Sequence, residues 1–252
     1  MISAQRMCAV CSAVLTAEFC RYCGAPANGP VPQSLPPANR GSSRSLIVAS
    51  TSAIPIGGQI QVNCVIDITG SMEEVTEQGI RKIDELYTAL MSMRAPLLPV
   101  NNKIQIEIIE FNLTARIAIP FASPQEVFDQ YVKPTPNGGT DLSKGMELAR
   151  SELQCVSQGG EQVVVAMTDG ETINEENALS AARQLHANGV QVITVCFGTT
   201  SHALLLKQMA STPELFFTSN HGELGLFFQR LAKASAASAR NPNARVSDFM
   251  TR

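Results

Sequence analysis

The sequence Val65-Ile66-Asp67-Ile68-Thr69-Gly70-Ser71-Met72 joins an apolar run to a helical pattern. Residues 59–66 are rich in β-branched and apolar side chains, which predicts a strand. Asp67, Thr69 and Ser71 are therefore predicted to lie on a strand-to-helix loop. Because this loop follows the carboxyl end of a strand predicted to be parallel, it occupies the position where open α/β sheets bind ligands.

The polar side chains of this loop predict a metal site. One carboxylate and two hydroxyls stand at alternate positions, and Gly70 allows the backbone to turn tightly. Such an all-oxygen donor set suits Mg²⁺ or Mn²⁺ better than zinc or copper. The alternative is that Asp67 and Ser71 only cap the helix that follows.

Composition and charge limit the classes of protein to which the chain can belong. The 252 residues are 44% hydrophobic and carry a net charge of −3, which fits one α/β domain of about 200 residues with a small appendage. No basic patch supports binding to nucleic acid, and no apolar segment approaches the roughly 20 residues that cross a membrane. The first residues lack the apolar core of a secretory signal, so we expect a cytoplasmic protein.

Four of the seven cysteines form two CxxC knuckles near the start of the sequence. Cys8, Cys11, Cys20 and Cys23 suit a closed, tetrahedral Zn²⁺ site with a structural role. Residues 1–25 resemble the short zinc ribbons of many bacterial regulatory proteins. Two disulfides are the alternative, which a reducing cytoplasm disfavours. So small a ribbon lacks a hydrophobic core, so metal binding would supply its folding energy. The remaining cysteines are expected to pack as small hydrophobes: Cys64, Cys155 and Cys196.

The segments around the main domain are predicted from composition. Residues 26–45 contain five prolines among Gly, Ser and Asn, which predicts a semi-extended linker. We place the main domain at residues 46–237, with a short edge strand at residues 46–49. Residues 238–252 are polar and are expected to form a flexible tail.

From residue 59 onward, predicted strands alternate with predicted helices. This order predicts a doubly wound, mostly parallel, Rossmann-like α/β sheet with one antiparallel edge strand. The predicted strands are residues 59–66, 103–111, 115–120, 161–168, 190–197 and 215–218. The predicted helices are residues 71–93, 124–131, 142–153, 175–187, 203–210 and 223–237.

Three loops in this pattern resemble a known site. They are Asp67-Ile68-Thr69-Gly70-Ser71, Gly138-Gly139-Thr140-Asp141 and Thr168-Asp169-Gly170-Glu171. Together they are similar to the metal-ion-dependent adhesion site of von Willebrand factor type A (vWA) domains. That family combines a DxSxS loop, a threonine from a Gly-Gly-Thr loop and an aspartate from a Thr-Asp-Gly loop. The resemblance extends over about residues 46–237.

The resemblance implies a role for each of five residues. Thr69 and Ser71 would bind the metal through their hydroxyls, and Thr140 would do so directly or through water. Asp67 and Asp169 would hold coordinated waters and balance the charge of the ion. Thr69 departs from the family, which usually has serine there; threonine keeps the hydroxyl but restricts χ1. Three acidic residues flank the predicted metal and are expected to shape its rim or to be simply solvated: Glu73, Glu74 and Glu171.

The resemblance favours binding over catalysis. An octahedral Mg²⁺ held mainly by neutral hydroxyls keeps one position for a glutamate or aspartate of a partner protein. We therefore expect a non-enzymatic adaptor, with the zinc ribbon as a second docking element. One alternative is a Mg²⁺-dependent phosphoesterase with Asp67 as nucleophile, although Thr69 stands where a second acid is needed. The other alternative is a metal-free scaffold.

Within the family, the short Gly-Gly-Thr and Thr-Asp-Gly loops look most like those of bacterial intracellular proteins from tellurium-resistance and stress or phage-defence gene clusters. This likeness implies a kinase, a phosphatase or an AAA+ ATPase as partner. The position of the cysteine cluster departs from it, because tellurium-type proteins usually carry such a segment at the other end.

Overall fold

In the part of the chain that the structure describes, six strands form a single sheet in the order β3-β2-β1-β4-β5-β6. The computed structural model describes residues 59–76, 78–156, 160–198, 203–241 and 243–250. The predicted zinc ribbon, the linker and the edge strand at residues 46–49 lie outside these ranges. The strands are β1 Ile60–Asp67, β2 Ile104–Phe111, β3 Ala115–Ala122, β4 Glu161–Thr168, β5 Gln191–Phe197 and β6 Phe216–Ser219.

The sheet is parallel except at one edge, as the sequence predicted. β1 lies between β2 and β4 with all eight of its residues buried, the polar Gln61 and Asn63 among them. A central parallel strand covered on both faces is expected to be rich in apolar residues, as this one is. Only β3 runs antiparallel to its neighbour. It is the partly exposed edge strand, where Pro120 removes no needed backbone donor.

Helices cover both faces of the sheet. On one face, Val62, Cys64 and Ile66 of β1 belong to the main apolar cluster, together with buried side chains of α1 and α7. On the other face, α4 packs against β1 and β2. The helices are α1 Lys82–Met91, α2 Arg94–Leu97, α3 Pro124–Gln130, α4 Leu142–Cys155, α5 Glu175–Ala187, α6 Ala203–Met209, α7 Leu224–Arg240 and α8 Val246–Met250.

The predicted helix at residues 71–93 is wrong in its first half. A 3₁₀ helix occupies Gly70–Glu73, and α1 begins only at Lys82. Between them the chain forms a small hairpin, in which Val75 bridges Arg81 and the Thr76 N–H donates to the carbonyl of Ile80 at 2.8 Å. Val75 and Ile80, which fitted the helical period, are 62% and 46% exposed.

The expected flexible tail is also wrong for residues 238–250 where the structure describes them. α7 continues to Arg240, and α8 follows with Val246 and Met250 fully buried. The backbone N–H of Val246 donates to the carboxylate of Glu161 at 2.7 Å. The polar composition predicted solvation, but these two apolar side chains and this hydrogen bond fix the segment to the domain.

The other predicted elements agree with the structure to within three residues at each end. Cys64 and Cys196 are buried, as expected for cysteines that pack as small hydrophobes, and Cys155 is half-buried. In the part of the chain that the structure describes, no helix is both long and apolar enough to cross a membrane.

Gly145 of α4 gives a direct test of the packing beneath the site. A Cβ at this position would stand 2.5 Å from Cγ1 of Val65 and 3.1 Å from Phe111, and both of these side chains are fully buried. We expect Gly145→Ala to lower the free energy of unfolding by about 1–3 kcal/mol through overpacking. Gly225→Ala in α7 is the control, because nothing lies within 4 Å of its Cβ position; it should be neutral or stabilising. Denaturant unfolding measures both, and an equally stable Gly145→Ala would contradict the packing described.

Candidate metal site

The predicted site lies where the strand order reverses. In the sheet, β1 has β2 as its neighbour on one side and β4 on the other. The carboxyl ends of β1 and β4 therefore flank the topological switch point, where open α/β sheets bind ligands. Asp67 is the last residue of β1, and Asp169 directly follows β4. The register pairs Ile66 with Met167, which brings the two carboxylates to the same edge.

The first loop is organised by Asp67. Its Oδ1 accepts a hydrogen bond from the Thr69 N–H at 2.8 Å, and its Oδ2 accepts one from the Thr168 hydroxyl at 2.6 Å. The hydroxyl oxygens of Thr69 and Ser71 lie 3.0 Å apart. The carboxylate therefore shapes the loop, while the two hydroxyls of the predicted metal site stay adjacent.

The second loop is hydrogen-bonded to the first. The Gly70 N–H donates to the carbonyl of Gly138 at 2.9 Å, and the Asn137 N–H donates to the carbonyl of Ile68 at 2.9 Å. Gly138 has a φ of 76°, a conformation that L side chains rarely adopt. A Cβ on Gly70 would stand 3.3 Å from the Gly138 oxygen. Glycine at position 138 thus suits the backbone conformation, and glycine at position 70 avoids a tight contact where the two loops meet.

Thr140 is held in place from both sides. Its carbonyl accepts a hydrogen bond from the Ile173 N–H at 3.0 Å. The next residue, Asp141, caps α4 by accepting from the Ser143 N–H at 3.2 Å, and it also accepts from the Asn174 side chain at 2.9 Å. Asn174, which makes this contact, has a φ of 60°, a left-handed conformation that asparagine adopts more readily than most residues.

The three loops converge on one point. The Ser71 hydroxyl donates to Oδ1 of Asp169 at 2.7 Å. A Cβ on Gly170 would stand 3.7 Å from the Ser71 hydroxyl oxygen and 3.9 Å from that of Thr140. The structure thus brings together all five residues that the sequence analysis assigned to the site: Asp67, Thr69, Ser71, Thr140 and Asp169.

The two carboxylates of the site have different partners. Burial raises the pKa of Asp67 to about 6, against the opposing effect of hydrogen bonds from Thr168 and Thr69, and the neighbouring Asp169 raises it further. Among the described residues, no basic side chain forms an ion pair with Asp67. Asp169 instead pairs with the ammonium of Lys82 at 2.7 Å.

The donor set fits a hard divalent cation. Hydroxyl and carboxylate oxygens surround the convergence point, which is the chemistry that Mg²⁺ and Mn²⁺ prefer. The described residues contain no group of three or more His, Cys, Asp or Glu side chains suited to a metal. The donors here are mainly hydroxyls, which such a grouping does not include. Helix capping by Asp67 or Ser71, the alternative, is not what the structure shows. The 3₁₀ helix Gly70–Glu73 has Thr69 at its N-cap with no side-chain capping hydrogen bond, and the next α-helix begins only at Lys82.

Four supporting residues were not assigned roles from the sequence. Thr168 belongs to the loop that carries Asp169, yet its hydrogen bond to Asp67 forms only because β1 and β4 pair in the sheet. Lys82 was hidden inside the wrongly predicted helix. Asp141 and Asn174 meet only in the folded chain.

Of the acidic residues that flank the site, Glu73 pairs with Arg81 at 3.2 Å and Glu74 pairs with Lys82 at 2.6 Å.

Fold and site together define a doubly wound α/β domain with an oxygen-lined site at its switch point. The sequence model of the von Willebrand factor type A domain family matches residues 62–230. The chain therefore belongs to this family. No curated protein sequence matches it significantly.

Solved structures share the fold at low sequence identity. The vWF domain of the type V pili tip protein Mfa5 from Porphyromonas gingivalis has a TM-score of 0.62 and 14% identity, covering 73% of this chain and 97% of that one. Proximal thread matrix protein 1 from the mussel byssus, with a zinc-occupied MIDAS motif, has a TM-score of 0.59 and 20% identity. The match covers 73% of this chain and 47% of the mussel protein. The manganese-loaded TRAP protein of Plasmodium vivax has a TM-score of 0.52 and 17% identity. The match covers 69% of this chain and 73% of the TRAP protein. This chain thus spans about half the length of the mussel protein.

The raised pKa of Asp67 predicts how the stability of the metal-free protein depends on pH. An acid whose pKa is higher when folded, here about 6 against 3.8, binds more protons in the folded state. Its contribution to stability is therefore retained below pH 3.8 and lost as the pH rises to about 6. A difference of about two pKa units between the folded and unfolded states corresponds to about 3 kcal/mol of unfolding free energy.

We expect Asp67→Asn to abolish that loss. In EDTA, the free energy of unfolding of the wild type should fall between pH 4 and pH 7.5 by about 2–3 kcal/mol more than that of the variant. Urea titrations at both pH values measure the difference, in which groups common to both proteins cancel. Identical pH profiles would show that Asp67 ionises as freely in the folded protein as in the unfolded chain.

Proposed function

We propose that this vWA domain is a metal-dependent protein-interaction module that recognises an acidic side chain of a partner protein through Mg²⁺ or Mn²⁺. The observation that supports this is the convergence of three hydroxyls and two buried carboxylates at the switch point. Thr69, Ser71 and Thr140 would contact the ion, and Asp67 and Asp169 would balance its charge and hold its waters.

The donor set favours ligand binding over turnover. Mg²⁺ demands octahedral coordination, and the three hydroxyls leave positions for water and for one external ligand. Because hydroxyls are neutral, the ion keeps most of its charge for a partner carboxylate. Two proteins that share the fold hold divalent metals, one as zinc in its MIDAS motif and one as manganese, which supports a divalent ion here.

Exposed apolar side chains next to the site support a protein partner. Leu113 and Ile173 are 52% and 55% exposed. Leu113 lies against the Gly139 backbone, where a Cβ would stand 3.3 Å from its Cδ2. Ile173 is hydrogen-bonded to Thr140. Both are therefore fixed to the Gly-Gly-Thr loop, and a partner carboxylate flanked by apolar residues would cover them.

The remaining features of the proposal come from the sequence. Cys8, Cys11, Cys20 and Cys23 would hold a structural Zn²⁺, and the ribbon they form would act as a second docking element. The module would be a non-enzymatic adaptor of the bacterial cytoplasm, of the tellurium-resistance or stress-response type. A kinase, a phosphatase or an AAA+ ATPase would supply the acidic residue.

The proposal is tested by partner capture from native lysate, quantified by mass spectrometry. Proteins bound by the wild type in Mg²⁺ should be lost in EDTA and lost with Thr140→Ala or Asp67→Ala. EDTA also removes zinc, so the variants decide the outcome. Thr135→Ala is the matched control, because Thr135 is an exposed threonine of the same loop and should retain the partner. Equal capture by all variants would refute the site.

A second experiment separates the apolar rim from the metal. We expect Leu113→Ser and Ile173→Ser to weaken partner capture by about tenfold, since each removes an exposed apolar contact worth roughly 1–2 kcal/mol. Mg²⁺ affinity measured by calorimetry should not change. Leu98→Ser is the control, because Leu98 is also exposed but precedes the amino end of β2, at the opposite edge of the sheet. Unaltered capture by both rim variants would confine recognition to the carboxylate.

A further inference from the structure

A basic side chain is built into the candidate metal site. The Lys82 ammonium donates to Oδ2 of Asp169 at 2.7 Å and to Glu74 at 2.6 Å. The side chains of Lys82 and Asp169 are only 9% and 0% exposed, whereas that of Glu74 is 65% exposed. Water therefore screens the charge of Glu74 but not the contact between Lys82 and Asp169.

The hairpin that the sequence failed to predict places this lysine. The Lys82 N–H donates to the carbonyl of Glu74 at 3.0 Å, so the chain returns to the first loop before α1 begins. Lys82 then reaches one oxygen of Asp169 while Ser71 donates to the other at 2.7 Å. The ammonium is therefore separated from the predicted metal ligands by a single carboxylate group.

The charges give this arrangement a consequence. A divalent ion would balance Asp67 and Asp169. The other partner of Lys82, Glu74, is mostly exposed and screened by water, so the buried groups of the loaded site would carry one positive charge in excess. Without the ion, the same ammonium compensates a carboxylate that would otherwise be buried without a counter-charge. Lys82 thus stabilises the metal-free state and opposes the metal-bound one.

We propose that Lys82 is a resident cation that weakens divalent metal binding at this site, keeps the domain folded without metal, and leaves the loaded site in need of an anionic ligand. This inference rests on the proposed metal site and adds its regulation. Metal and the acidic partner would then bind cooperatively, because the partner carboxylate neutralises the excess charge that the ion creates.

The test is Mg²⁺ titration of the full chain by calorimetry, together with thermal unfolding in chelator and in Mg²⁺. Lys82→Met should tighten Mg²⁺ binding by about tenfold or more, because a charge near the ion is removed in a partly desolvated site. Its Tm in chelator should fall below that of the wild type, and Mg²⁺ should raise its Tm by more. Lys82→Arg keeps the charge and should keep the wild-type affinity.

Two further variants separate this effect from a general loss of stability. Lys133→Met removes an exposed lysine that pairs with Asp84 and should leave Mg²⁺ affinity unchanged. Asp169→Asn combined with Lys82→Met removes both charges, so its Tm in chelator should exceed that of Lys82→Met alone. If Lys82→Met unfolds without metal, recovery of its fold by millimolar Mg²⁺ is the expected result.

The outcomes distinguish this inference from the proposed function. Unchanged or weaker Mg²⁺ binding by folded Lys82→Met would overturn the role of Lys82 and leave the metal site standing. Failure of Mg²⁺ to restore an unfolded Lys82→Met would overturn it as well. If the wild type itself binds neither Mg²⁺ nor Mn²⁺, the metal site is refuted and the inference falls with it.

Discussion

The burial of two carboxylates at neighbouring strand ends is the constraint on which this site depends. Asp67 and Asp169 come together because β1 and β4 are parallel partners in register. Burying like charges is costly unless each is compensated. Among the described residues, Asp169 is paired with the ammonium of Lys82, whereas Asp67 accepts hydrogen bonds from Thr69 and Thr168 and forms no ion pair. Burial without a counter-charge raises the pKa of Asp67, and a bound cation would supply the missing charge.

The rest of the site is backbone framework that holds neutral oxygen donors beside these charges. Gly70 and Gly138 allow the first two loops to hydrogen-bond to each other, and Gly170 leaves open the space between the hydroxyls of Ser71 and Thr140. A Cβ at Gly70 would crowd the Gly138 carbonyl at 3.3 Å, and a Cβ at Gly170 would contact the hydroxyls of Ser71 and Thr140. The positions of the loops therefore depend on one another. Gly145 lies in the first turn of α4, which directly follows the loop that carries Thr140.

Much of the fold and the position of the site could be predicted from the sequence. β1, β4 and β5 are rich in β-branched and apolar residues, and the polar residues after β1 are recognisable because they follow its apolar end, Cys64-Val65-Ile66. Thr140 and Asp169 could be assigned only through the family resemblance, since no periodicity marks them. The hairpin before α1 was missed because Val75 and Ile80 happen to fit a helical period, although both are exposed. Lys82 was missed with it, because its partner Asp169 lies 87 residues away and local patterns do not report such contacts.

The arrangement of charge and apolar surface sets what the proposed site can recognise. Neutral hydroxyls would leave a bound ion strongly electrophilic, and Lys82 would add to the positive potential, so the proposed site would favour an anionic ligand. Leu113 and Ile173 would be covered by the same ligand, which would exclude water from the ion. Coulomb attraction strengthens as the local dielectric falls, so apolar contact and carboxylate coordination would reinforce each other. A free acidic metabolite could bind the ion but could not cover the two apolar side chains, and for this reason the proposed site would favour a protein partner.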